Sequence, residues 1–232
     1  MNLIWTIGRQ DFLMTFRDPV FKGLLIFPFI AFGLVRWLYP VLAAEFQSLQ
    51  DYSQVILMWA MMQSATMFGF IYGFLMLEEK EEKIDYALGV LPLSNLNLLF
   101  YRLAFGSFIS VLVNYMLLHY GLIIDLPWWQ EILLAFQFSL IAPIMALFLS
   151  AFAGNKIEGL AQMKIVNLVL LIPALVYFFP FKLLQLTAIV PSYWFFRSLG
   201  AAQSSDFYWI YLVGIGYALL IMWWCNRRIK NH

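Results

Sequence analysis

LEEKEEKIDYALGVLPLSNLNLLFYR (Leu77–Arg102) is the one long polar interruption in an apolar sequence, and it carries 5 of the 13 acidic and 3 of the 14 basic residues. A charged segment bounded on both sides by apolar runs of spanning length has to lie in water. Within it Ile84, Ala87, Leu88 and Leu91 recur at i, i+3, i+4 and i+7. A helix over residues 78–91 therefore presents one apolar face and one charged face. Such a helix can dock on a partner; a plain solvated loop is the alternative reading of the same charges. Gly89 and Pro92 end it, because Pro92 lacks an N–H and pushes Leu91 out of the α region.

Working outward, the 232-residue chain is 63% hydrophobic and 12% charged, against about 25% charge in soluble domains. These values define an integral membrane protein. At about 20 residues per crossing, the length accommodates some six spanning helices with short connections and no added soluble domain. A net charge of +1 gives no reason to expect nucleic acid as a partner, and the single cysteine, Cys225, excludes an intrachain disulfide. The scattered charges of the first 19 residues argue against a removable signal peptide.

Residues 3–20 read as an amphipathic interfacial helix, with Trp5, Phe12, Leu13, Phe16 and Val20 on one side and Gln10, Asp11, Arg17 and Asp18 on the other, Arg9 being the one misplaced residue. An irregular tail is the alternative. Spans follow over 21–44, 55–77, 103–124, 132–153, 165–181 and 207–225, with 78–102 as a cytoplasmic coupling segment. Arg36 lies near the far end of span 1, where it either snorkels outward or faces a polar cavity and touches cargo; its neighbours Trp37 and Tyr39 favour snorkelling. Ala65, Gly69 and Gly73 make a small-residue stripe on span 2 that admits another helix closely, within this chain by default. Ser94 is the expected N-cap of the helix leading into span 3. His119, near the end of that span, reads as a hydrogen-bonded or hydrated histidine rather than a catalytic one. Residues 154–164 form a short charged loop with Lys156, Glu158 and Lys164. Between spans 5 and 6, Pro191-Ser192-Tyr193-Trp194-Phe195-Phe196-Arg197 fits short re-entrant or interfacial helices buried against protein. Eleven of the 14 Lys and Arg residues fall on one side of this topology, so both termini are expected in the cytoplasm and the chain in the cell inner or plasma membrane.

Several chemistries have no residues to carry them. There is no GxxxxGK[ST] string for nucleotide, and neither HExxH nor GxSxG occurs. No catalytic, cofactor or metal site is expected in this chain. The acids Glu78, Glu79, Glu81 and Glu82, interleaved with Lys80 and Lys83, read as solvated pairs on one helix face. The spans as drawn contain no acid for a proton or sodium relay. If this is a pump, its energy comes from elsewhere.

Taken together the chain resembles the membrane subunits of type 2 ATP-binding-cassette exporters, the ABC-2 permeases. Arg17-Asp18-Pro19 followed by Pro28 in the first span matches that family's entry into the membrane. Glu78 to Glu82, then Leu91-Pro92-Leu93-Ser94 and Arg102, resembles its signature after span 2. Asn155 to Gly159 before span 5 and the Pro-Ser-Tyr-Trp segment before span 6 are similar to the branch labelled as drug or fluoroquinolone export permeases. Where family members commonly carry Gly-Thr after the glutamates, this chain has Lys83-Ile84-Asp85, a docking surface tuned to its own ATPase.

The resemblance implies a pair of permeases, identical or paralogous, bound to two separate ATPase subunits that hold ATP and Mg. It implies short helices after span 5 that shield the outer exit. The expected ATPase-coupling residues are Glu78, Glu79, Glu82, Ile84, Leu88, Leu91 and Pro92, with Lys156 and Glu158 in second place. The candidates for a cargo path or gate are Arg36, Tyr193, Trp194 and Phe195. The function expected is ATP-driven export of an apolar or amphipathic cargo (drug, lipid or peptide), this chain itself not being an enzyme. A non-transporting membrane scaffold or immunity protein is the rival.

Overall fold

The computed structural model describes residues 15–16, 18–82, 95–121, 123–178 and 182–230. Most of the interfacial helix read over 3–20, and the 83–94 stretch with Ile84, Leu88, Leu91, Pro92 and Ser94, lie outside the described residues. Among the described residues there is no strand. Six helices are long and apolar enough to cross a membrane: Pro19–Glu45, Gln47–Glu81, Leu99–Gly121, Trp128–Phe152, Lys156–Tyr177 and Phe207–Ile229. They are numbered here as spans 1 to 6. Helices are what apolar runs of this length must form in lipid, where each backbone N–H and C=O needs a partner within its own segment.

Spans 2 and 4 form the centre. Within their most apolar windows 83% and 78% of residues are buried, against 17% to 33% in the other four spans, which surround them and keep apolar faces outward. The small-residue stripe of span 2 makes this contact. A Cβ on Gly69 would lie 2.6 Å from the Ala142 carbonyl oxygen, and one on Gly73 would lie 2.7 Å from Leu149 Cδ1. The stripe therefore meets span 4 of the same chain.

Prolines set the irregular points. Asp18 caps span 1 by accepting from the Val20 N–H at 2.7 Å, with Pro19 at the first helical position, where its missing N–H is not needed. Farther along, Pro40 cannot donate to the Arg36 carbonyl, and the helix opens into a wide π turn over Leu34–Leu38 in which the Tyr39 N–H donates to Leu34 O. Pro143 likewise crowds the Ser139 carbonyl, and span 4 breaks at Leu140 into Trp128–Ser139 and Ile141–Phe152.

Two of the boundaries that differ from the sequence reading lie at one end of the bundle. The helix of span 2 runs through Glu81, so Glu78 and Glu79 belong to its last turns. Residues 154–164, read as a loop, are helical from Lys156. The cause is a cap: Asn155 Oδ1 accepts from the Glu158 N–H at 2.8 Å, while Glu158 Oε2 accepts from the Gly154 N–H at 2.8 Å.

Between spans 5 and 6 the chain forms a 3-10 stretch, Lys182–Ile189, and an α-helix, Pro191–Gly200. They are tied to their surroundings. The Ser192 hydroxyl donates to Leu170 O at 2.7 Å, Trp194 Nε1 to Ala188 O at 3.0 Å and the Tyr217 hydroxyl to Ile189 O.

Candidate functional site: the polar base of the bundle

Because the spans alternate in direction, Asp18, the end of span 2, the start of span 3, the span 4–5 connection and Arg228 all fall at one end. This end is called the base. The ion pairs described there join residues that are distant in sequence. Arg102, at the start of span 3, grips Glu79 with both guanidinium branches: Nη1 lies 2.5 Å from Oε2 and Nη2 lies 2.6 Å from Oε1. The Arg102 side chain is only 8% exposed and that of Glu79 19%, so the pair is largely screened from water. Bidentate geometry of this kind fixes orientation as well as charge.

Lys156 is the second hub. Its ammonium pairs with Glu78 Oε1, lies 3.6 Å from Asp18 Oδ2 and sits 5.4 Å from the centre of the Phe21 ring. The Lys156 backbone N–H donates to Glu81 Oε1 at 2.6 Å, and Lys80 Nζ donates to Ala153 O at 3.4 Å. One residue thus joins the beginnings of spans 1 and 5 to the end of span 2. Gln162 closes the far side, donating to Phe152 O at 2.9 Å, and the Arg228 guanidinium lies 4.7 Å from the Phe152 ring centre.

These contacts correct one expectation. Glu78 and Glu79 are not solvated pairs along one helix face; they reach across to Lys156 and Arg102 on other spans. Their helix is still packed at that level, with Leu77 fully buried, so cations arriving on spans 3 and 5 are nearer than water. Glu82 is exposed and ends the helix, its N–H donating to Glu78 O at 2.9 Å. Of the nine expected coupling residues, Glu78, Glu79, Lys156 and Glu158 thus take part in the base.

The sequence reading missed Arg102 as the partner of Glu79. The two are 23 positions apart and no local pattern links them. It also missed the cap that begins span 5, for which the Asn155-x-x-Glu158 spacing was the available signal.

Of the four path candidates, Tyr193, Trp194 and Phe195 share the helix Pro191–Gly200, the first two with ring centres 5.4 Å apart, whereas Arg36 lies on span 1. Arg36 stands in the wide turn of span 1, half-buried beside the exposed Trp37. Tyr193 and Phe195 are buried, Phe195 against Phe138 with ring centres 5.9 Å apart, and Trp194 is half-buried and pinned by its indole N–H.

At the end opposite the base a second polar contact appears. His119 Nδ1 lies 3.0 Å from Glu131 Oε2, and Glu131 is 5% exposed in the first turn of span 4. The span boundaries drawn from sequence left Glu131 in a loop, so a carboxylate does fall within a span after all.

Six helices long and apolar enough to cross a membrane, cross-linked at a polar base, define a multi-pass membrane protein. Residues 11–226 match the family described as "Rv2686c-like: Fluoroquinolones export permease protein Rv2686c-like", and the chain belongs to this family. Two curated relatives from Mycobacterium tuberculosis are similar over nearly their full length. These are the fluoroquinolones export permease protein MT2760 of strain CDC 1551 / Oshkosh and the fluoroquinolones export permease protein Rv2686c of strain ATCC 25618 / H37Rv. Each is 27% identical, with 96% of this chain and 92% of the relative covered. No solved structure matches the chain.

Proposed function

We propose that this permease is the membrane subunit of an ATP-driven exporter, with both termini in the cytoplasm and the base facing two separate ATPase subunits. The observation that carries this reading is the way the base ties together the spans on either side of residues 83–94. Glu79 and Arg102 join the end of span 2 to the start of span 3, and Lys156 joins the same end of span 2 to spans 1 and 5. A push by a partner at the end of span 2 is delivered to four spans together.

ATP binding closes the partner subunits, which press on residues 78–91 through the apolar face of Ile84, Leu88 and Leu91, and on the start of span 5 through Lys156 and Glu158. Movement of the base opens a route for an apolar or amphipathic cargo between this permease and a second, identical or paralogous copy. The relatives' printed names supply a cargo to try first, a fluoroquinolone.

The test is purification of the tagged chain from its native membrane in mild detergent, with the co-purifying proteins identified and counted by mass spectrometry. A P-loop ATPase at two copies per two permeases is the expected result, and Leu88→Asp abolishes its association while the permease remains folded. A chain that purifies alone, or with partners lacking nucleotide-binding motifs, overturns the exporter reading in favour of a scaffold.

A further inference from the structure

The end of the bundle opposite the base carries a recess of about 300 Å³ lined by His119, Ile124, Asp125, Leu126, Trp128 and Glu131. That volume stands at the lower end of small-molecule sites, enough for one ring and a short arm. No Lys or Arg lines it among the described residues.

Its polar atoms are available. Glu131 is buried to 5% exposure and gives Oε2 to His119 Nδ1 at 3.0 Å, while Oε1 has no hydrogen-bond partner among the described residues and is not sealed off. The Asp125 carboxylate and His119 Nε2 are likewise without protein partners among the described residues; the Asp125 backbone carbonyl alone is engaged, accepting from Gln203 Nε2 at 3.4 Å. The His119 ring is held flat against Tyr115, with ring centres 5.5 Å apart, and edge-on to Tyr120 at 4.8 Å. The imidazole that orients Glu131 is therefore itself fixed. A buried carboxylate at the rim of a span is costly, and the usual reason for keeping one is a function.

We infer that this recess is a binding site for a small organic cation, its ammonium on Glu131 and Asp125 and its apolar body against Trp128, Ile124 and Leu126. Two carboxylates in a lining without Lys or Arg set the sign of the ligand, and the exposed Trp128 face adds cation–π attraction. A metal ion is the weaker occupant, since no group of three metal-ligating side chains occurs among the described residues.

The inference stands apart from the exporter reading, because binding here needs neither ATPase nor transport. Full-length protein in phosphatidylcholine nanodiscs is titrated calorimetrically with benzylammonium and, as matched controls, benzoate and benzyl alcohol. One saturable benzylammonium site per chain is expected, with no benzoate binding. Glu131→Gln weakens it about tenfold, the effect of losing one charge-assisted hydrogen bond. Asp125→Asn weakens it several-fold, and Asp206→Asn on the exposed connection before span 6 leaves it unchanged. Should Glu131→Gln misfold, Asp125→Asn and Trp128→Ala alter only exposed side chains and still decide the matter. Equal binding of benzoate, or benzylammonium binding indifferent to Asp125 and Trp128, overturns the site.

Discussion

Removing Arg102 should loosen the base more than any other single charge deletion. With the charge centres of Arg102 and Glu79 about 4 Å apart, their attraction is about 4 kcal/mol at an effective dielectric of 20. Truncating one partner of a buried pair costs about 3–5 kcal/mol, mostly because the other charge is left desolvated. Glu79 keeps 19% of its side chain in contact with solvent. Water can partly rehydrate it, and we expect a loss of about 2–4 kcal/mol for Arg102→Ala. Arg102 makes further contacts, so the single variant overstates the pair. The cycle of Glu79→Gln, Arg102→Gln and the double variant isolates it, with a coupling energy of about 1.5–3 kcal/mol expected for two charge-assisted bonds. Equilibrium unfolding of the purified permease in mixed micelles, followed by circular dichroism, measures each corner. Additive single variants, coupled by less than about 0.5 kcal/mol, would refute the claim that this pair clamps spans 2 and 3.

Two further substitutions probe the scaffold around the base. Gly69→Ala places a methyl 2.6 Å from the Ala142 oxygen and 2.7 Å from Met145 Cβ, so the two central helices must part. A loss of about 1–3 kcal/mol is expected in the same unfolding assay, whereas Gly23→Ala, with open space around its Cβ, should lose far less. Asn155→Ala removes the cap of span 5 and should cost about 1 kcal/mol, with Asn155→Ser restoring most of it. A silent Asn155→Ala would mean that the cap does not hold the Lys156 hub in place.

The fold was legible because its causes are local. Fine periodicity was not needed: uninterrupted apolar length marked the spans. Span 2 illustrates both the strength and the limit. Its apolar run was evident, but the helix continues through Glu81 because Glu78 and Glu79 find cations on other spans, a fact no window of sequence contains. The start of span 5 was legible in principle through Asn155 and Glu158, and charge density hid it. His119 was read as hydrogen-bonded or hydrated, but its partner Glu131 was assigned to a loop because acidic residues usually mark the end of a span.

Sequence by itself determined an all-helical membrane protein with six spans, their approximate limits and the family resemblance, since length, hydropathy and short motifs are properties of neighbouring residues. Tertiary structure alone decided that spans 2 and 4 form the centre, that Gly69 and Gly73 face span 4, and that Arg102 and Lys156 gather the acids of span 2 into one base. Those choices depend on which helices approach one another, and a charge 23 or 78 positions away becomes the nearest partner only once they have done so.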